Sequence, residues 1–111
     1  MDGKRSPMPW PHPDARPESS IERAACEAAR ADGWLPVKAG QNGWPDRVFL
    51  KDGVTVWIEF KRHDGRVSRI QAWQHTEIEA HGGRVGVCRS AEETMRLLRR
   101  HYAETRGPSG L

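Results

Sequence analysis

Three charged residues stand at spacings that could bring them to one point: Asp46, Glu59 and Lys61. Side chains two apart on a strand share a face, so Glu59 and Lys61 would point the same way while Phe60 points into the opposite layer. Two carboxylates held close in a partly desolvated site raise the pKa of one of them. A hard cation such as Mg²⁺ relieves this repulsion and can activate a water. Lys61 would orient that water or neutralise the transition state.

A predicted hairpin would bring Asp46 and Glu59 together. Residues 47–50 and 54–62 have strand character and flank Asp52 and Gly53, a pair typical of a two-residue hairpin turn. In an antiparallel pair, the start of the first strand lies opposite the end of the second, so the two carboxylates can converge. Short Glu-x-Lys patterns on strands are commonly solvated pairs. Here the nearly continuous apolar run of residues 54–58 is typical of a strand covered on both faces, which favours a functional or paired Glu59.

The remaining sequence predicts one α/β domain with the order αβββαβα. Apolar spacing predicts a helix over 18–32, followed by a strand over 34–38 that Pro36 makes either an edge strand or a broken one, and then by the two hairpin strands. A second helix is predicted from the Ser68 and Gln71 capping box to about 81, followed by a strand over 84–89. The last helix starts at the Ser90 and Glu93 capping box and has Met95, Leu98 and Tyr102 on one face. Residues 1–17 form a predicted Pro-rich irregular arm, residues 18–106 the domain, and residues 107–111 a tail.

Composition limits the classes of protein that the chain could belong to. Its 111 residues suit a single domain, and 36% hydrophobic against 30% charged residues predict a small core. The net charge of +3 suits a phosphate-rich partner. No apolar run is long enough to span a bilayer or to act as a secretory signal, so we expect a cytoplasmic protein without membrane contact. Cys26 and Cys88 lack zinc-site spacing and are expected to be reduced and buried.

Three motifs together resemble a known family. Gly43-Trp44-Pro45-Asp46-Arg47, Trp57-Ile58-Glu59-Phe60-Lys61, and Gly65-Arg66-Val67-Ser68 with Gln71 are similar to the VRR-NUC (virus-type replication-repair nuclease) branch of the PD-(D/E)xK superfamily. The resemblance spans roughly residues 18–98. It implies a restriction-endonuclease-like core with a central mixed sheet flanked by helices.

The resemblance also implies roles for particular residues. Asp46 and Glu59 would bind Mg²⁺ or Mn²⁺ together with the backbone carbonyl of Phe60, and Lys61 would assist hydrolysis. A glutamate on the first helix would complete the site. Glu18 is favoured because it stands three residues before Ile21, as in the VRR-NUC pattern, whereas Glu22 has the spacing to Gly33 found in archaeal-type junction resolvases. A capping box with Ser19 would also occupy the carboxylate of Glu22.

Two residues of the second predicted helix have competing explanations. Gln71 matches a family glutamine near the active site, and its capping role accounts for it equally well. For His75, one turn further on, a surface or packing role is favoured over that of a proton shuttle.

The implied function is a metal-dependent endodeoxyribonuclease. We expect it to recognise branched or junction DNA by structure, in phage-type replication, recombination or repair, and to act as a homodimer. Five basic residues around the motifs could contact the phosphate backbone: Lys38, Arg47, Arg62, Arg66 and Arg69. The alternatives are a non-catalytic nucleic-acid-binding or assembly subunit of the same fold, and a small regulatory domain without a nucleic-acid partner.

Overall fold

The computed structural model of the protein describes residues 17–107 and confirms the predicted α/β fold and element order. The elements are α1 (Glu18–Ala31), β1 (Leu35–Lys38), β2 (Arg47–Lys51), β3 (Val54–Phe60), α2 (Arg69–Ala80), β4 (Val85–Cys88) and α3 (Ala91–Arg106). Apart from Pro17 and Gly107, the predicted arm and tail lie outside the described residues. None of the described helices is long and apolar enough to cross a membrane.

The four strands form one mixed sheet in the order β1-β2-β3-β4. The first three are antiparallel neighbours, whereas β4 runs parallel to β3 after the crossover through α2. β1 is an edge strand, as Pro36 predicted, because proline cannot donate a ladder hydrogen bond. β3, which carries Glu59, is therefore paired with a neighbouring strand on each side.

The turn between β2 and β3 fixes the register of the hairpin. Asp52 and Gly53 both have positive φ, 48° and 82°, as a tight hairpin turn with two such residues requires. The ladder then pairs Lys51 with Val54 and, at its far end, Arg47 with Ile58. One step further, Asp46 comes opposite Glu59, which is the convergence predicted from the sequence.

One face of the sheet packs against α1 and α3 to form the core. Ala25 and Ala29 on α1 are fully buried, and their small side chains let the helix approach the sheet closely. Phe49, Val56, Ile58, Phe60, Met95 and Leu98 belong to the same cluster. The predicted apolar face of α3 is confirmed, with Tyr102 partly buried at its end.

The opposite face of the sheet is less covered than the sequence predicted. β3 is fully buried on the core face, but Thr55 and Trp57 on the other face are only half-buried. At the edge, Leu35 is 49% and Val37 is 40% exposed. The expectation of two covered faces was wrong because, among the described elements, α2 alone packs there, towards β4, leaving β1 and β2 open.

Of the three capping boxes predicted from the sequence, one forms completely. The Ser68 and Gln71 capping box is complete. At α3 only half of the box forms, since the Ser90 hydroxyl accepts from Glu93 N but the Glu93 carboxylate accepts from Arg89 N instead. α1 begins after Pro17 without a side-chain cap, so the Ser19 capping box was wrong. Both cysteines are free and buried, as expected.

Candidate active site

Asp46 is locked to the end of β3 by a direct hydrogen bond. Phe60 N donates to Asp46 Oδ2 at 2.7 Å, which joins the residue before β2 to the last residue of β3. A carboxylate that accepts a backbone N–H has a fixed orientation and retains a second oxygen for a ligand. The aspartate that follows Pro45 is thus positioned by the hairpin itself.

Glu59 is buried beside Asp46 and is held by two side chains. It is only 2% exposed. Gln71 Nε2 donates to Glu59 Oε2 at 2.9 Å, and Lys61 Nζ lies 3.7 Å from the same oxygen. The other oxygen, Oε1, is buried and has no hydrogen-bond partner within residues 17–107. Since buried polar atoms are almost always paired, this oxygen marks a position where a ligand is expected.

The environment raises the pKa of the Glu59 carboxyl group to about 7. Burial is the main cause, and the nearby charge of Asp46 adds to it, while Lys61 opposes both. The charge of Glu18 raises the pKa further, so this residue lies within electrostatic range of the pair. Such a carboxyl group is poised between its neutral and charged forms near neutral pH, a property typical of functional sites.

The donor set fits a hard divalent cation held in part by water. The unpartnered Glu59 Oε1 and the carboxylate of Asp46 offer the oxygen ligands that Mg²⁺ prefers. Within the described part of the chain, no three His, Cys, Asp or Glu side chains converge as a metal site by themselves. Glu18 is exposed in the first turn of α1 and does not complete such a cluster. A pair of carboxylates suits Mg²⁺, which is usually bound by one or two carboxylates and keeps several water ligands.

Glu22, the other glutamate considered for the site, is engaged elsewhere. Its Oε2 accepts from Arg47 Nε at 2.6 Å and from Lys38 Nζ at 3.0 Å. Burial opposes ionisation of Glu22, but these hydrogen bonds and charges outweigh it and lower the pKa of the carboxyl group. Glu22 therefore fastens α1 to β1 and β2.

The comparisons with known proteins agree with this geometry. A solved structure described as "VRR_NUC domain" superposes with a TM-score of 0.65 and 26% sequence identity, over 77% of this chain and 97% of that one. The chain contains a VRR-NUC-like domain. No protein-family model matches the sequence, and no curated protein matches it. The VRR-NUC-like fold, rather than overall sequence similarity, carries the relationship.

In this VRR-NUC-like domain Gln71 forms the predicted capping box and also contacts Glu59. Its Oε1 accepts from Ser68 N at 2.9 Å, while its Nε2 donates to Glu59. The capping box thus fixes the amide that holds the buried carboxylate. His75, one turn further on, is half-buried, and burial lowers its pKa and favours the neutral ring.

The five candidate DNA-contacting residues of the VRR-NUC-like domain fall into two groups. Lys38 and Arg47 are bound to Glu22, and Arg62 lies 3.4 Å from Asp64. Arg66 and Arg69 are exposed beside the start of α2 and form no ion pair with any described residue. These last two are the best placed to contact phosphate.

Arg89 is a structural contributor that sequence patterns did not single out. Its guanidinium donates to the carbonyl oxygens of Arg62 and Gly65 at 2.7 Å and 2.8 Å. These bonds hold the loop that leads from Lys61 to α2. No local motif predicts them, because the partners are 24 and 27 residues apart.

Proposed function

We propose that this protein is a Mg²⁺- or Mn²⁺-dependent endonuclease that hydrolyses DNA phosphodiester bonds. The observation that carries the proposal is the buried Glu59, with one oxygen held by Gln71 and the other unpartnered beside Asp46, in a VRR-NUC-like fold. A binding-only subunit gains nothing from a buried acid with a pKa near 7, because burying an ionisable group destabilises the fold.

Each of the proposed site residues has a separate role in the reaction. Asp46, Glu59 and the carbonyl oxygen of Phe60 would hold the cation, with Glu18 able to approach from α1. A bound divalent cation supplies a water of lowered pKa and stabilises negative charge on the phosphate. Gln71 keeps the Glu59 carboxylate turned so that Oε1 is available. Lys61, next to Glu59, stabilises charge as the P–O bond breaks and orients the attacking water.

The substrate that we propose is branched or junction DNA, as in replication, recombination or repair of the phage type. The domain has no separate module for reading bases among its described residues, and phosphate contacts alone position a duplex without reading its sequence. A domain of this size covers little duplex, so cutting a junction symmetrically favours a two-fold homodimer.

Cleavage assays test the proposal directly. We expect the full chain to cut supercoiled, flapped or four-way-junction DNA in Mg²⁺ or Mn²⁺ and to be inactive in EDTA. Asp46→Asn, which keeps the acceptor for Phe60 N, should lower the rate at least 100-fold, because the charge that binds the cation is lost. The control Asp32→Asn changes the C-cap residue of α1 and should cleave like the wild type.

A second pair of variants tests the contribution of α1. Glu18→Gln should lower the rate about 10- to 100-fold, the range seen when a residue that supports a metal site is lost. Glu27→Gln, exposed on the same helix, should not. Tight DNA binding without cleavage in either metal would instead support the non-catalytic subunit, and an absence of DNA binding would support the regulatory domain.

A further inference from the structure

A cleft lined by three tryptophans lies beside the carboxylates. It has a volume of about 530 Å³ and lies between β3, the loop before β2, and α2. Trp44 and Trp57 pack with ring centroids 5.6 Å apart, and Trp73 on α2 lines the same cleft while remaining 59% exposed. Exposed indole surface is costly in water, so this arrangement suits a flat ligand that can stack on the indole rings.

The cleft lies close to the proposed active site. Trp57 precedes Glu59 by two residues on the same face of β3, and Trp44 precedes Asp46 by two. Two residues along a β-strand span about 6.6 Å. This distance is close to that spanned by two nucleotides of a stacked strand, at about 3.4 Å each. A second hollow of about 410 Å³, lined by Trp44, Asp46 and Gln71 among others, shares Trp44 with the cleft.

The polar groups in the cleft distinguish a base from a phosphate. Glu77 lines it, and a carboxylate repels phosphate but accepts from the ring N–H or amino groups of unpaired bases. Gln74 adds an amide that can both donate and accept. Arg66 precedes α2 and Arg69 is its first residue, and neither forms an ion pair with a described residue. The phosphate backbone of the DNA strand therefore has a separate place to bind.

We propose that this cleft binds an unpaired nucleobase of the substrate strand, one or two nucleotides from the phosphate that is cleaved at Asp46 and Glu59. The inference rests on the proposed function for the position of that phosphate. Aromatic side chains stack on any base, and only a base free of its partner can be splayed into such a cleft. The cleft therefore selects DNA with unpaired nucleotides, such as a flap or a branch point, without selecting sequence.

A pair of oligonucleotides with the same charge isolates stacking. Fluorescein-labelled dT12 and an abasic 12-mer of equal length are titrated in EDTA, and binding is followed by anisotropy. Trp73→Ala should weaken binding of dT12 about tenfold, the effect expected for losing one stacked base, and leave the abasic strand within twofold. Trp73→Phe keeps a ring and should recover most of the loss. The matched control Leu35→Ala, exposed on the open part of the same sheet face, should change neither affinity.

Three results would overturn the inference: an unchanged affinity for dT12 in Trp73→Ala, an equal loss on both strands, or a loss accompanied by dissociation of a dimer in light scattering. The last would show that the cleft binds a second copy of the chain. Because no metal or cleavage is involved, these results do not depend on nuclease activity. If the protein binds bases in this cleft but cleaves no DNA, the inference stands and the proposed function fails. If it cleaves DNA but Trp73→Ala leaves base binding unchanged, the proposed function stands and the inference fails.

Discussion

At the scale of single residues, the site is dominated by the conflict between burial and charge at Glu59. The carboxyl group is buried in the hairpin, with Asp46 beside it and one lysine to compensate. Its pKa rises from the ordinary 4.5 to about 7, so the folded protein prefers the neutral form more than the unfolded chain does. The stability that goes with the neutral form is present below about pH 4.5 and is lost as the pH rises to about 7.

Glu59→Gln should therefore stabilise the metal-free protein while abolishing cleavage. The neutral amide keeps the shape and an acceptor for Gln71 but removes the buried charge. A shift from 4.5 to about 7 corresponds to roughly 3 kcal/mol at pH 8. Urea unfolding in EDTA should show this gain over the wild type at pH 8 and almost none at pH 4.5.

Glu27→Gln is the control for this measurement, because it removes an exposed carboxylate from α1 and should leave the unfolding free energy nearly unchanged at both pH values. A variant Glu59→Gln that is less stable than the wild type at pH 8 would show that the charged carboxylate is well compensated in the free protein.

At the scale of elements, the features that could be predicted are those encoded locally. The Asp52 and Gly53 turn determines the register that puts Asp46 opposite Glu59, and the capping box at Ser68 starts α2 at the residue that places Gln71. Both depend on residues a few positions apart, so the sequence contained the information.

The features that could not be predicted depend on which helix lies over which strand. The engagement of Glu22 by Arg47 and Lys38 spans 25 and 16 residues, so no short pattern distinguishes it from a metal ligand. The run of residues 54–58 likewise predicted two covered faces, whereas the coverage depends on where α2 packs.

The hairpin turn provides the element-scale prediction. A Cβ at Gly53 would meet no neighbouring atom, so Gly53→Ala should be costly only because its φ is +82°. We expect a loss of about 1–2 kcal/mol in the free energy of unfolding, measured with urea. Gly53→Asn is larger but tolerates this conformation, and it should lose less. If asparagine proved as costly as alanine, side-chain size rather than φ would decide the turn.

At the scale of the whole molecule, exposed arginines lie on or beside helices that pack against opposite sides of the sheet. Arg66 precedes α2 and Arg69 is its first residue, two positions before Gln71, and both are exposed and without an ion-pair partner among residues 17–107. Arg96 and Arg100 are equally exposed but lie on α3, whose buried face packs against the other side of the sheet. A strand held at the site should meet the first pair and not the second.

The salt dependence of DNA binding separates these two pairs at constant net charge. Arg66→Gln with Arg69→Gln, and Arg96→Gln with Arg100→Gln, each lower the net charge from +3 to +1, since each removes two arginines. Each phosphate contact contributes about 0.9 to the slope of log affinity against log salt on duplex DNA. We expect the first double variant to reduce the magnitude of that slope by about 2, in anisotropy titrations in EDTA between roughly 50 and 200 mM salt, and the second to leave it near the wild-type value. Equal changes in both would mean that net charge alone attracts DNA, and a larger change in the α3 pair would place the duplex on the opposite side of the sheet from Asp46 and Glu59.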